Sequence, residues 1–185
     1  MHATHAISLR RLATAAMIWC AMAWAAVAAE TGIAPFIGDY TGSAELVNAD
    51  GTTEPRDMSV SISETKDGFN VSWATVARKT DGRIKESSFS IDFLPTDRDG
   101  IFSAAMQRNV FGHAVQLDPM QGEPFVWGRI AGDTLTVYSL FVSPEGGYEL
   151  QQFDRILADG GLTLRFSRVA NGEISRTVET FLERQ

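Results

Sequence analysis

The chain is nearly free of cysteine: of 185 residues, Cys20 alone carries a thiol. It lies inside an N-terminal apolar run, so the rest of the chain is expected to hold no disulfide and no reactive thiol. Histidine is almost as scarce. Of three, His2 and His5 precede residue 30, leaving His113 by itself. No second His or Cys stands at ligand spacing, so no metal site is expected. The sequence also lacks a G-x-S-x-G elbow, a P-loop and a dinucleotide-binding glycine pattern. No catalytic residue can be named and no cofactor is expected. Positive charge is short as well: 16 Lys and Arg stand against 23 Asp and Glu, a net −7. A surface of that sign repels nucleic acid and anionic lipid.

What the N-terminus does have is the form of an export signal. Arg10 and Arg11 make a basic region, Leu12–Val27 is continuously apolar, and "AVAAE" offers small residues for cleavage before Ala29 or Glu30. The apolar run is shorter than the ~20 residues of a spanning helix. Residues 1–29 are therefore read as a signal peptide and residues 30–185 as one domain. Without the signal the balance is 14 basic against 23 acidic residues, or −9. The expected location is exported, periplasmic in a bacterium or secreted, with no transmembrane segment after cleavage.

From Gly38 onward, turn residues punctuate β-rich runs at regular intervals: "KDG" at 66–68, "TDG" at 80–82, "PTDRDG" at 95–100, "SPEGG" at 143–147, "ADGG" at 158–161 and "NGE" at 171–173. Gly, Asn and Asp supply the positive φ of tight hairpins. No segment of about twelve residues sustains a helical apolar stripe. The expected fold is all-β: an antiparallel up-and-down meander closing into a barrel of about 8–10 strands, because closure removes the edges of a long meander. Two longer links interrupt the pattern, Asn48–Asp57 and Val110–Pro124. The second, with His113, Met120 and two glycines, reads either as a lid over the barrel mouth or as an ordinary loop. Asn70–Val71–Ser72 matches a glycosylation sequon in mid-strand, where a modified side chain is out of place. One face of the strands is repeatedly polar, as in Ser59, Ser61 and Ser63, which argues against a lipid-facing barrel.

Loop lengths fix registers, and registers assign faces. If "ADGG" closes a hairpin on Leu157 and Leu162, Phe153 meets Phe166 and Arg155 meets Leu164, while Asp154 meets Arg165 on the reverse side. A three-residue "TDG" loop pairs Trp73 with Phe89. A Gly132–Asp133 turn pairs Trp127 with Tyr138 and Arg129 with Thr136. A five-residue loop at 143–147 then carries Val137 to Phe153. The interior row reads Gly128–Val137–Phe153–Phe166, and Arg155 falls in the inward row Ile130–Leu135–Arg155–Leu164. A three-residue "NGE" loop sets Val178 against Phe166 and turns Arg168 and Arg176 inward at one rim.

Two candidate sites follow. Trp73, Phe89, Val137, Phe153 and Phe166 are expected to line an interior cavity. Arg155, with Arg168, is expected to hold a ligand carboxylate bidentately. The alternative for Arg155 is an interior acid such as Glu179 or escape to the rim. On the outer wall, Trp127, Arg129 and Tyr138 form either a cross-strand cluster or a partner-binding patch, since these are the residues that anchor interfaces.

The domain resembles the calycin superfamily, the lipocalin-like and fatty-acid-binding-like small β-barrels, and the small uncharacterised exported barrel proteins of bacteria. The resemblance covers the whole meander and is one of architecture. In "GDYTG", Gly38 and Tyr40 sit where lipocalins place a Gly-x-Trp, with Tyr40 in place of the tryptophan. Asn48–Asp57 is too short for a helical portal, and nothing after the strands resembles the lipocalin C-terminal helix. The resemblance implies an apolar-ligand cavity. The expected function is non-catalytic binding of a small amphipathic or acidic hydrophobic molecule. The alternatives are an envelope protein–protein interaction module and, third, an enzyme built in a barrel pocket.

Overall fold

Antiparallel neighbours joined by tight turns account for the architecture. The computed structural model describes residues 32–47, 53–78, 81–108 and 114–185. The strands begin with β1 (Gly38–Val47), β2 (Thr53–Glu64), β3 (Phe69–Arg78), β4 (Ile84–Pro95) and β5 (Ile101–Ala105). Two short strands follow, β6 (Gln107–Arg108) and β7 (Ala114–Val115), paired with each other. The chain then continues through β8 (Phe125–Ala131), β9 (Thr134–Val142), β10 (Tyr148–Ala158), β11 (Gly161–Ala170) and β12 (Glu173–Arg184). All but β6 and β7 close into a barrel of 10 strands, with β5 beside β8 and β12 returning to β1. The helical elements among the described residues are two 3-10 turns, Ala34–Phe36 and Pro119–Gln121. No described helix is long and apolar enough to cross a membrane.

The hairpins take the registers that their loop lengths impose. Phe153 stands opposite Phe166 and Arg155 opposite Leu164. Trp73 faces Phe89. Trp127 faces Tyr138 and Arg129 faces Thr136. Val137 continues to Phe153 across β9 and β10. Polar side chains pair along the outer wall. Arg165 holds Glu179 at 2.9 Å, and the Asn70 amide, near the start of β3, donates to Asp92 at 2.7 Å.

Two local expectations are corrected. The link expected over Asn48–Asp57 is strand from Thr53 onward: β1 and β2 pair without a break from Gly38↔Ile62 to Val47↔Thr53. Pro55 lies just beyond the last β2–β3 pair, Arg56↔Ala77, where its missing N–H breaks no ladder bond to β3. The last hairpin does not use a three-residue "NGE" loop. Ala170 pairs with Glu173 across a two-residue Asn171–Gly172 turn, and a bulge between Arg168 and Val169 restores the expected Phe166↔Val178 register. Asn171 and Gly172 have φ of 50° and 89°, the left-handed pair that a type I′ turn requires.

The interior is packed at one end. The row Gly38–Ile62–Val71–Ile91 crosses β1 to β4 there, and Leu157–Leu162–Leu182 crosses β10 to β12. Phe69 stacks on Phe93 at 5.2 Å and meets the edge of Phe102 at 4.9 Å. The Ala34–Phe36 turn adds Phe36 to this core, and the buried Tyr40 hydroxyl donates to the Phe36 carbonyl at 2.8 Å. Burial raises the Tyr40 pKa, while the charge of Arg184, packed 5.5 Å from its ring, opposes the rise.

Both seams of β12 pass against a glycine. A Cβ on Gly161 would lie 2.0 Å from the Leu182 carbonyl oxygen, and one on Gly42 would lie 2.5 Å from that of Phe181. Backbone cannot yield there without opening the closure. Gly42→Ala and Gly161→Ala should each destabilise by about 1–3 kcal/mol, measured by urea unfolding. Gly132→Ala, with no atom within 4 Å of its Cβ position, should show only the smaller backbone cost of its φ of 59°.

Candidate functional site

The opposite end of the barrel is hollow. Reading from the packed end, β1 to β4 present the rows Tyr40–Val60–Trp73–Phe89, Gly42–Met58–Thr75–Ser87 and Ala44–Arg56–Ala77–Lys85. Small residues and shorter side chains replace the aromatic layer, leaving a cavity of about 250 Å³. Its waist is aromatic. Trp73 stacks on Phe89 at 5.3 Å and reaches across to Phe153 at 5.6 Å, which packs against Phe166 at 4.8 Å. Phe89 is inward-facing yet 54% exposed. The cause is a seam: β4 pairs with β5 only over Asp92–Pro95. Between Ile84 and Ile91, β4 has a described partner on β3 alone.

Arg155 forms part of the cavity wall beneath this waist and is 1% exposed. Its Nε and Nη1 have no hydrogen-bond partner among the described residues. The guanidinium instead lies 5.5 Å from the Trp73 ring and 6.0 Å from that of Phe153. Such cation–π contacts are worth about 0.5–2 kcal/mol, well short of the desolvation of a buried ion. The adjacent Asp154 points to the other face, where it accepts from Thr136 at 2.7 Å and Gln152 at 2.8 Å. Glu179, the alternative partner, is engaged outside by Arg165. Burial pulls the Arg155 pKa down from the usual guanidinium range to about 10, with the charge of Asp154 opposing.

Of the expected cavity residues, Trp73, Phe89, Phe153, Arg155 and Phe166 come together around this space. Two do not. Val137 is 1% exposed within the packed core, because its row is completed by Gly128, and Phe93 fills the space over that glycine. Arg168 is inward by parity but is tied at the rim to Glu149, on the same face of the neighbouring strand. Three cations that line the cavity, Arg56, Lys85 and Arg176, complete the site. The sequence reading placed Arg176 at the rim but missed Arg56 and Lys85. The β2–β3 and β3–β4 registers would have revealed both, since Ala77 pairs with each of them.

No protein-family model matches the chain, and no curated protein matches it. The arrangement of these side chains therefore carries the functional reading.

On the outer wall Trp127 stacks on Tyr138 at 4.7 Å and 15°, with Phe125 5.9 Å away. Arg129 is exposed beside them. His113 lies outside the described residues. The described end of its link is tied down: Gln116 donates to the Val126 carbonyl at 2.8 Å, and the Asp118 carboxylate caps the Pro119–Gln121 turn at 2.9 Å. Among the described residues no group of His, Cys, Asp and Glu is placed to hold a metal ion.

An uncompensated buried cation weakens the fold that contains it. A base with a lowered folded-state pKa holds its proton less tightly in the folded protein than in the unfolded chain. The penalty is therefore complete below about pH 10 and fades as pH climbs above that. The fall corresponds to roughly 3 kcal/mol. Arg155→Met should accordingly stabilise the empty protein at pH 7 by about 1–4 kcal/mol. Thermal unfolding of the two proteins checks this, and a lower melting temperature for the variant would contradict it.

Proposed function

We propose that this protein is an exported, soluble, calycin-like barrel that binds a small amphipathic anion, a carboxylate on an apolar body, in the hollow end of its interior. The observation that carries the reading is Arg155: a guanidinium 1% exposed, with two nitrogens unsatisfied among the described residues, in the cavity wall beside the aromatic waist. A folded protein retains such a group at a stability cost when something outside the chain satisfies it. A carboxylate takes a guanidinium through two parallel hydrogen bonds. The aromatic waist of Trp73, Phe89, Phe153 and Phe166 supplies the contact for the ligand's body. The seam beside Phe89 gives it a way in.

The stacked Trp127–Tyr138 pair favours a second reading, an envelope partner docking on the outer wall, since Trp, Tyr and Arg129 are residues that anchor interfaces. The two readings separate cleanly. In a calorimetric titration with naphthalene-2-carboxylate at pH 7, the wild-type barrel should bind. Arg155→Met should lose at least about 30-fold in affinity, as expected for a buried charge-assisted pair. Trp127→Ala should bind as the wild type does. Loss of binding in Trp127→Ala with retention in Arg155→Met would reverse the assignment.

A further inference from the structure

The cavity is charged at two levels, and we infer that its ligand is a compact dianion, with one acidic group beside Arg155 and a second at the mouth between Lys85 and Arg176. This rests on the binding reading above and names the ligand class. Beyond residue 29 the chain carries 23 acidic and 14 basic residues, yet among the described residues four cations and no carboxylate line this cavity. Arg56 is partly compensated by Glu54, whose carboxylate oxygen lies 3.7 Å from it. Lys85 and Arg176 make no ion pair among the described residues, although Arg168, opposite Arg176, is neutralised by Glu149. The acids Glu54 and Glu149 near the mouth each sit beside an arginine, so Lys85 and Arg176 keep their charge for a ligand.

The spacing of the two levels is set by the strands. Thr180 of β12 shares the row of Leu164 and Arg155. Arg176 stands four residues further along β12, about 13 Å at the usual strand rise. Lys85 stands the same four residues beyond Phe89, toward the mouth on β4. The aromatic waist lies between the cation levels, so the order met from floor to mouth is cation, rings, cations. A molecule that matches it is acidic at both ends with a flat apolar middle. An engineered cavity of 150 Å³ accommodates benzene, so about 250 Å³ suits one or two fused rings and is too small to enclose a long acyl chain.

The test compares two probes of equal body, naphthalene-2-carboxylate and naphthalene-2,6-dicarboxylate, by calorimetry at pH 7. The dicarboxylate should bind the wild type at least about tenfold more tightly. That ratio should fall toward one in the Lys85→Met/Arg176→Met variant. In the wild type the ratio should also shrink between 50 and 300 mM salt, because the mouth is exposed to screening. Equal affinities for the two probes, or a preference that survives the double substitution, would overturn the dianion while leaving single-carboxylate binding intact. Failure of both probes to bind the wild type would overturn both.

Discussion

Parity is the constraint on which this barrel rests. Each strand shows alternate residues to alternate sides, so an error of one residue in any hairpin would exchange wall and interior for every strand after it. Closure tightens the requirement, because β12 must meet β1 with its inward set still inward. Tyr40, Val60, Trp73, Phe153, Phe166 and Leu182 all satisfy it, and the polar ladder of Asp154, Arg165 and Glu179 is its complement outside. The bulge after Arg168 belongs to the same accounting. It absorbs the residue that a two-residue Asn-Gly turn leaves over, and so keeps Val178 facing in.

Within that scaffold the two ends do opposite things. One is filled by Phe36, Phe69, Phe93 and the leucines of β10 to β12, and its packing supplies stability in a domain without a described disulfide. The other holds a space, three rim cations and a charge with no partner. The contrast has an energetic logic. A site whose groups are held apart and unsatisfied costs free energy in the empty state, and the packed end is what allows the fold to bear it. Trp73 joins the two regions. It stacks in the aromatic layer that caps the core and, with Phe153, offers the Arg155 guanidinium a ring face.

Much of this was legible in the sequence because hairpin registers are local. The lengths of the "ADGG", "TDG" and 143–147 loops placed Phe153, Arg155, Trp73 and Trp127 on their faces. What was not legible is longitudinal. Register says which way Val137 points, but not that Phe93, from β4 two strands over from β8, fills the space over Gly128 in its row. It says that Arg168 points inward, but not that Glu149 lies close enough to take its charge. The link at 48–57 was set too long because its run of turn-forming and polar residues hides the strand that starts at Thr53. The Ala34–Phe36 turn carried no signal at all: a plug is recognised only once there is something to plug.

The seam beside Phe89 has a dynamic consequence. Around most of the barrel, parting two strands means breaking a row of backbone hydrogen bonds at once. Along the upper half of β4 no described ladder with β5 has to be undone, so that stretch moves at lower cost than the strands below it. Opening of this part of the wall is thereby decoupled from unfolding of the protein as a whole, which runs on a far slower clock.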